Sequence, residues 1–291
     1  MIKIRLFLSA ILLSLFLSCS ITKQQKAGEV NPINFHQKTA FTLNKSLILI
    51  PVTINSEPKN FFFDTGAQLT VIQSDSLFGK IRTVTGASGK ELNMGLDKVK
   101  NIKIGDTEFV NTYALNQDLK ELKEKIPDFG GIIGQSVIQK ANWLIDYPNK
   151  KIEFSSNNLS DEGFTKIEIE RKDGSPFTFM TINDRKYRAI IDLGASSALS
   201  IPQNSNLAED LLKMHEFESI KKDNYTIGGG VQKTTQKVGK VPVVKLNSIE
   251  NENVEVTIKN TSHIRIGSAF FKDFLVYIDN TSGNYKIKKV N

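Results

Sequence analysis

Cysteine is nearly absent: the 291-residue sequence has one, Cys19. A single cysteine cannot close an internal disulfide or assemble a thiolate metal site. Histidine is almost as scarce, and His36, His215 and His263 are too scattered to suggest ligands of one metal. No metal or organic cofactor is implied. Familiar nucleophile and phosphate signatures are missing as well. Gly134-Gln135-Ser136-Val137 lacks the second glycine of a nucleophile elbow. Gly228-Gly229-Gly230 lacks the lysine and helix start of a phosphate loop.

Long apolar runs are missing except at the beginning. Residues 6–17 form an apolar stretch of 12 after Lys3 and Arg5, too short to span a bilayer, which takes about 20 residues. A signal peptide over residues 1–18 is therefore expected. The stretch ends in Phe16-Leu17-Ser18-Cys19, which resembles the lipobox of bacterial lipoproteins and makes Cys19 the expected lipidation site. The expected location is the cell envelope, periplasm-facing or on the surface, held to the membrane by lipid. Without Lys3 and Arg5 the formal charge falls from 7 to 7 − 2 = +5. Lysine pairs at 150–151, 221–222 and 288–289 are dispersed, with no basic helix or aromatic RNA motif beside them. They read as solvated surface and give no support to nucleic-acid binding.

What the chain does contain is a long internal repeat. Thr53-Ile54-Asn55 precedes Asp64-Thr65-Gly66-Ala67, and Thr181-Ile182-Asn183 precedes Asp192-Leu193-Gly194-Ala195, both with Asn nine residues before Asp. Each aspartate follows an apolar run, Phe61-Phe62-Phe63 or Ala189-Ile190-Ile191. Further on come Ile132-Ile133-Gly134 and Ile264-Arg265-Ile266-Gly267, then strand-like segments ending in Asp146 and Asp279. The glycine-to-aspartate interval is 146 − 134 = 12 in one half and 279 − 267 = 12 in the other. A carboxylate at the end of a buried strand is costly unless something holds it. Two of them, one per repeat, could meet at a pseudo-two-fold axis. Paired carboxylates at one site split into one low and one raised apparent pKa and can share a proton.

With these motifs the chain resembles the retropepsin-like aspartic peptidases, and more closely the bacterial form in which two such lobes are fused in one polypeptide. The resemblance covers roughly residues 41–291. It implies an all-β fold of two tandem barrel lobes, related by a pseudo-two-fold axis and carrying short helices. It also implies an aspartic endopeptidase acting on extended peptides, monomeric because both lobes lie in one chain. Asp64 and Asp192 would be the catalytic dyad. Thr65, Gly66, Ala67, Gly194 and Ala195 would support the active turns, and Thr65 would hydrogen-bond to the opposite turn. Glycine-rich hairpins containing Gly86 and Gly89, and Gly228 and Gly229, would be flaps, with Tyr225 beside the second. Two positions depart from the family. Leu193 stands where Thr or Ser is usual, and Arg265 interrupts the apolar pair before Gly267. Those departures keep open an alternative: an envelope lipoprotein with the same fold that binds peptides or proteins with little or no catalysis.

The domain plan expected from the sequence is a tether over residues 19–40, an N-terminal lobe over 41–156, a linker over 157–163 and a C-terminal lobe over 164–291. Short β-rich runs alternate with turn residues from Phe41 onward. Strands are expected at residues 47–52 and 61–63, joined by a hairpin loop over 55–60 that contains Pro58. A helix is expected over 118–126, with Leu119, Leu122 and Ile126 inward and Pro127 ending it. A second is expected near 207–217, with Leu207, Leu211 and Met214 as its inner face. Trp143 reads as core, and Asp146 and Asp279 as structural strand-end residues.

Overall fold

Two tight turns set the repeat in motion. Asn55 and Ser56 adopt φ of 51° and 65°, and Asn183 and Asp184 adopt 48° and 59°. Two left-handed residues in succession reverse the chain in the sense that suits twisted strands. They close two hairpins, β1 (Leu47–Ile54) with β2 (Glu57–Phe63), and β7 (Ser175–Ile182) with β8 (Arg185–Asp192). The first loop is therefore two residues long, shorter than the 55–60 segment expected, and Pro58 lies within β2 opposite Thr53. The computed structural model describes residues 21–290 apart from 87–90, 173 and 227–229, with the backbone alone at 224–226 and 230–232.

Strands dominate the molecule and its helices are short. The first half continues with β3 (Thr70–Gln73), β4 (Glu91–Ile104), β5 (Thr107–Gln117) and β6 (Phe129–Ile133). The second continues with β9 (Leu199–Pro202), β10 (Gly230–Leu246), β11 (Ile249–Lys259) and β12 (Ile264–Gly267). The first half closes a six-strand ring in the order β1-β2-β6-β3-β5-β4, with β4 pairing back to β1. The second closes a ring β7-β8-β12-β9-β11-β10, with β10 pairing back to β7. Corresponding strands meet with the same polarity. β2 and β6 run parallel as do β8 and β12, and β3 and β5 run parallel as do β9 and β11. A closed ring leaves no unpaired strand edge between its members.

A six-stranded sheet joins the halves. Strand Asn142–Asp146 of the first lies antiparallel to Phe274–Asp279 of the second, with Trp143 opposite Ile278. Lys151–Ser155 and Asn284–Lys289 flank that pair, and His36–Ala40 and Thr165–Ile167 form the edges. Trp143 is wholly buried beneath this sheet and stacks on Phe154 at 4.7 Å between ring centroids. Asp146 accepts the Asn149 N–H at 2.9 Å, and Asp279 accepts the Ser282 N–H at 2.8 Å and pairs with Lys286 at 2.7 Å. Both are structural residues of strand-end turns.

Several local expectations need correction. Residues 21–40 are not a loose tether. Residues 21–26 are helical, Glu29–Asn31 pairs with β5, and His36–Ala40 pairs with Lys151–Ser155. Gln25 is 1% exposed, and its Nε2 donates to the Gln68 carbonyl at 2.9 Å. A polar segment held by backbone pairing carries no hydrophobic period to read. The helix expected over 118–126 shrinks to Lys120–Lys123, although Leu119, Leu122 and Ile126 are buried as expected. The later helix is Asn206–Met214, capped by Ser205, whose side chain accepts the Ala208 N–H at 3.2 Å. It stops because His215 is extended, so Phe217 begins a strand and Met214 is 53% exposed. No helix among the described residues is long and apolar enough to cross a membrane.

Candidate active site

β2 and β8 deliver the two aspartates. Each buries the residues before its aspartate, Phe61 to Phe63 and Ala189 to Ile191, against a parallel neighbour that leads into Gly134 or Gly267. Asp64 is fixed by its N–H, which donates to the Ile133 carbonyl at 2.9 Å. Its Oδ1 accepts from the N–H groups of Gly66 at 2.7 Å and Ala67 at 3.2 Å. Asp192 Oδ1 accepts from the Gly194 N–H at 3.1 Å. Each carboxylate thus shapes its own turn with one oxygen.

The turns interlock through their glycines. A Cβ on Gly66 would stand 2.8 Å from Asp192 Cγ, and a Cβ on Gly194 would stand 2.1 Å from Asp64 Cγ. Only a bare α-carbon lets each turn approach the opposite carboxyl group this closely. The carboxyl groups of Asp64 and Asp192, 128 positions apart in sequence, thus come close enough for the charge of Asp192 to raise the Asp64 carboxyl.

Thr65 clamps the turns from one side. Its Oγ1 donates to the Ile191 carbonyl at 2.8 Å and accepts the Leu193 N–H at 3.0 Å. Leu193 has no hydroxyl to return the clasp, and its side chain is wholly buried in the main apolar core. The single clasp should therefore matter greatly. Thr65→Val leaves a buried donor and a buried acceptor unpaired, with an expected loss of about 2–4 kcal/mol. Thr65→Ser keeps the hydroxyl and should recover most of that loss. Denaturant titration of the three proteins checks this, and equal stability of the Val and Ser variants would refute it.

Behind each turn lies the second glycine of the repeat. A Cβ on Gly134 would meet the Leu69 carbonyl oxygen at 2.4 Å, and one on Gly267 the Ser197 carbonyl oxygen at 2.1 Å. The next residue in each half then ties the turn down. The Gln135 N–H donates to Ala67 O at 2.9 Å and its Nε2 to Thr65 O at 2.7 Å. The Ser268 N–H donates to Ala195 O at 2.8 Å and its Oγ to Leu193 O at 2.6 Å. Sequence reading missed Gln135 and Ser268. The available signal was their place, immediately after the repeated glycine.

Electrostatically the two halves differ. Arg265 Nη1 lies 2.5 Å from Asp192 Oδ2, and its Nε donates to Thr261 Oγ1 at 3.3 Å. Both charged side chains are nearly dry, 13% exposed for Arg265 and 8% for Asp192. At the corresponding place the first half has Ile132. Asp64 keeps some open surface, yet protein crowds it enough that burial pushes its carboxyl up to about 8. The charge of Asp192 pushes the same way, while the Gly66 N–H and Arg265 pull it down.

The expected flaps lie apart from this cluster in sequence. Gly86 is half-buried and follows strand Lys80–Thr85, which pairs with the start of β4, and Gly89 falls outside the described residues. Gly228 and Gly229 also fall outside them, between strand Phe217–Thr226 and β10, as do the Tyr225 side chain and Cys19. Compared with known proteins, the chain matches no family model and no curated protein.

Proposed function

We propose that the protein is an aspartic endopeptidase, built of two retropepsin-like lobes over residues 41–156 and 164–291 and exported as a lipoprotein anchored at Cys19. The observation that carries this reading is the interlock of the two Asp-x-Gly-Ala turns, which sets each glycine on the opposite carboxyl group. Two rings of identical strand order, each carrying such a turn after its second strand in sequence, support it.

In this reading one water sits between the carboxyl groups. Asp192, paired with Arg265, is the ionised member and takes a proton from the water as it attacks the peptide carbonyl. Asp64 carries the shared proton and gives it to the carbonyl oxygen, so that the tetrahedral carbon bears two hydroxyls. Collapse of that intermediate breaks the C–N bond, and a proton passes to the leaving amine. No covalent bond to the enzyme forms. The two macroscopic proton affinities belong to the pair.

One observation favours a second reading. The Arg265 ion pair occupies Asp192 Oδ2, which suits a peptide-binding envelope protein that does not turn its ligand over. Incubating the full chain in detergent with a mixed peptide pool, beside Asp64→Asn and Asp192→Asn variants, separates the two. Cleavage lost in both variants supports the peptidase. Binding without cleavage by folded wild type supports the second reading.

A further inference from the structure

Four matched places on the wall beside each aspartate hold different chemistry in the two halves. In the first half strand register puts Ile132 beside Phe62 and Val71, and Val71 beside Leu115. All four are buried in an apolar cluster that Leu119, Leu122 and Ile126 complete. In the second half the same register puts Arg265 beside Ile190 and Ser200, and Ser200 beside Thr257. Three of the four apolar groups have become polar.

Two residues further along β11 is Lys259, opposite Pro202. Alternation along a strand places it on the face of Thr257 and therefore on the side of Arg265. Its counterpart on β5 is the neutral Gln117, opposite Gln73. Lys259 is half-buried and forms no ion pair with a carboxylate among the described residues. Burial pushes its ammonium below the ordinary lysine value, and Arg265 and Lys222 push the same way, with Asp192 alone opposing them. Asp192 is already matched by Arg265. A cation kept partly dry without an anion of its own is costly, and that cost falls when a ligand brings the missing charge.

We propose that this wall is a binding subsite in which Lys259 receives a carboxylate of the substrate, either an acidic side chain or a chain-terminal group. The peptide nature of the substrate rests on the peptidase reading above. A singly charged carboxylate fits better than a phosphate group. The site offers one free ammonium, while the guanidinium that would grip a phosphate in a forked manner is committed to Asp192 and Thr261. The subsite belongs to the second half only, so it orients an extended peptide across the dyad.

The test uses the full chain in detergent and peptide pools that differ only in charge. One amidated pool has glutamate at a fixed position, a second has glutamine there, a third has lysine, and a fourth has glutamine and a free C-terminal carboxylate. Binding is read by fluorescence anisotropy on the Asp64→Asn variant, and turnover on the protein with Asp64 intact. The glutamate or free-carboxylate pool should bind about tenfold more tightly than the amidated glutamine pool. Which of the two wins identifies the source of the carboxylate. In the Asp64→Asn background, Lys259→Gln should abolish the preference, and Lys259→Glu should turn it toward the lysine pool, which a misfolded protein could not do. Equal binding of all pools, or a preference that survives Lys259→Gln, overturns the subsite. A charge preference that depends on Lys259, with no turnover by the Asp64 protein, supports the subsite and overturns the peptidase reading alone.

Discussion

Asp192→Asn is expected to abolish cleavage and to destabilise the fold, whereas Asp64→Asn abolishes cleavage at little cost in stability. In the peptidase reading either substitution removes a proton-transfer group, worth about 10²–10⁴-fold in rate. The stability difference comes from Arg265. Its side chain is 13% exposed, and its guanidinium reaches Asp192 Oδ2 at 2.5 Å. Removing one member of a buried pair leaves the other charged in a dry place, at a cost of about 3–5 kcal/mol. Asp64 has no such partner and holds a proton up to about pH 8, so a neutral asparagine resembles its native state. The carbonyl oxygen of the introduced amide can still accept the Gly66 N–H that Asp64 accepts at 2.7 Å. A third variant, Asp192→Asn with Arg265→Leu, removes the stranded charge and should recover stability while staying inactive. Denaturant titration near neutral pH and peptide turnover are the two readouts. If both single variants prove equally stable, the ion pair contributes nothing to the fold.

The sequence made the symmetric part of the site legible and concealed its asymmetry. Asp-x-Gly-Ala twice, each followed by a glycine that stands 12 residues before a further aspartate, pointed to two turns that the structure sets against each other. Repetition carried that information, because one copy alone reads as an ordinary turn. Arg265 was visible only as a departure from an apolar pattern. A charge at a buried strand position demands a partner, but naming Asp192 required knowing that β8 and β12 run parallel with Ile190 beside Arg265. Register is a tertiary property. Residues 21–40 were misread because backbone pairing and a single buried Gln25 hold them, and neither leaves a hydrophobic period. The helix expected over 118–126 had three inward residues at helical spacing, yet only Lys120–Lys123 forms. A buried apolar face can be supplied by turns as well as by a helix. Met214 failed for a related reason: helical spacing presumes that the helix continues, and here it ends at the next residue.

The pH dependence of the site should follow Asp64 and respond to Arg265. In the folded protein the Asp64 carboxyl is raised from 3.8 to about 8, first by burial and then by the Asp192 charge. The singly protonated pair therefore persists through neutral pH, and cleavage should decline only as pH rises through about 8. Arg265 holds this proton less tightly than burial alone would, so Arg265→Leu should move the alkaline limb upward, while Arg265→Lys keeps the charge and should move it less. Stability follows the same proton. A carboxyl raised on folding binds more protons in the native than in the unfolded state, so its contribution is complete below 3.8, declines above it, and is lost as pH passes about 8. Asp64→Asn has no proton to lose and should show a flatter stability profile over that window. Turnover and denaturant midpoints from about pH 4 to about pH 9 would test both statements. Superimposed turnover profiles for wild type and Arg265→Leu would mean that Arg265 does not act on the dyad, and superimposed stability profiles for wild type and Asp64→Asn would mean that another group governs the titration.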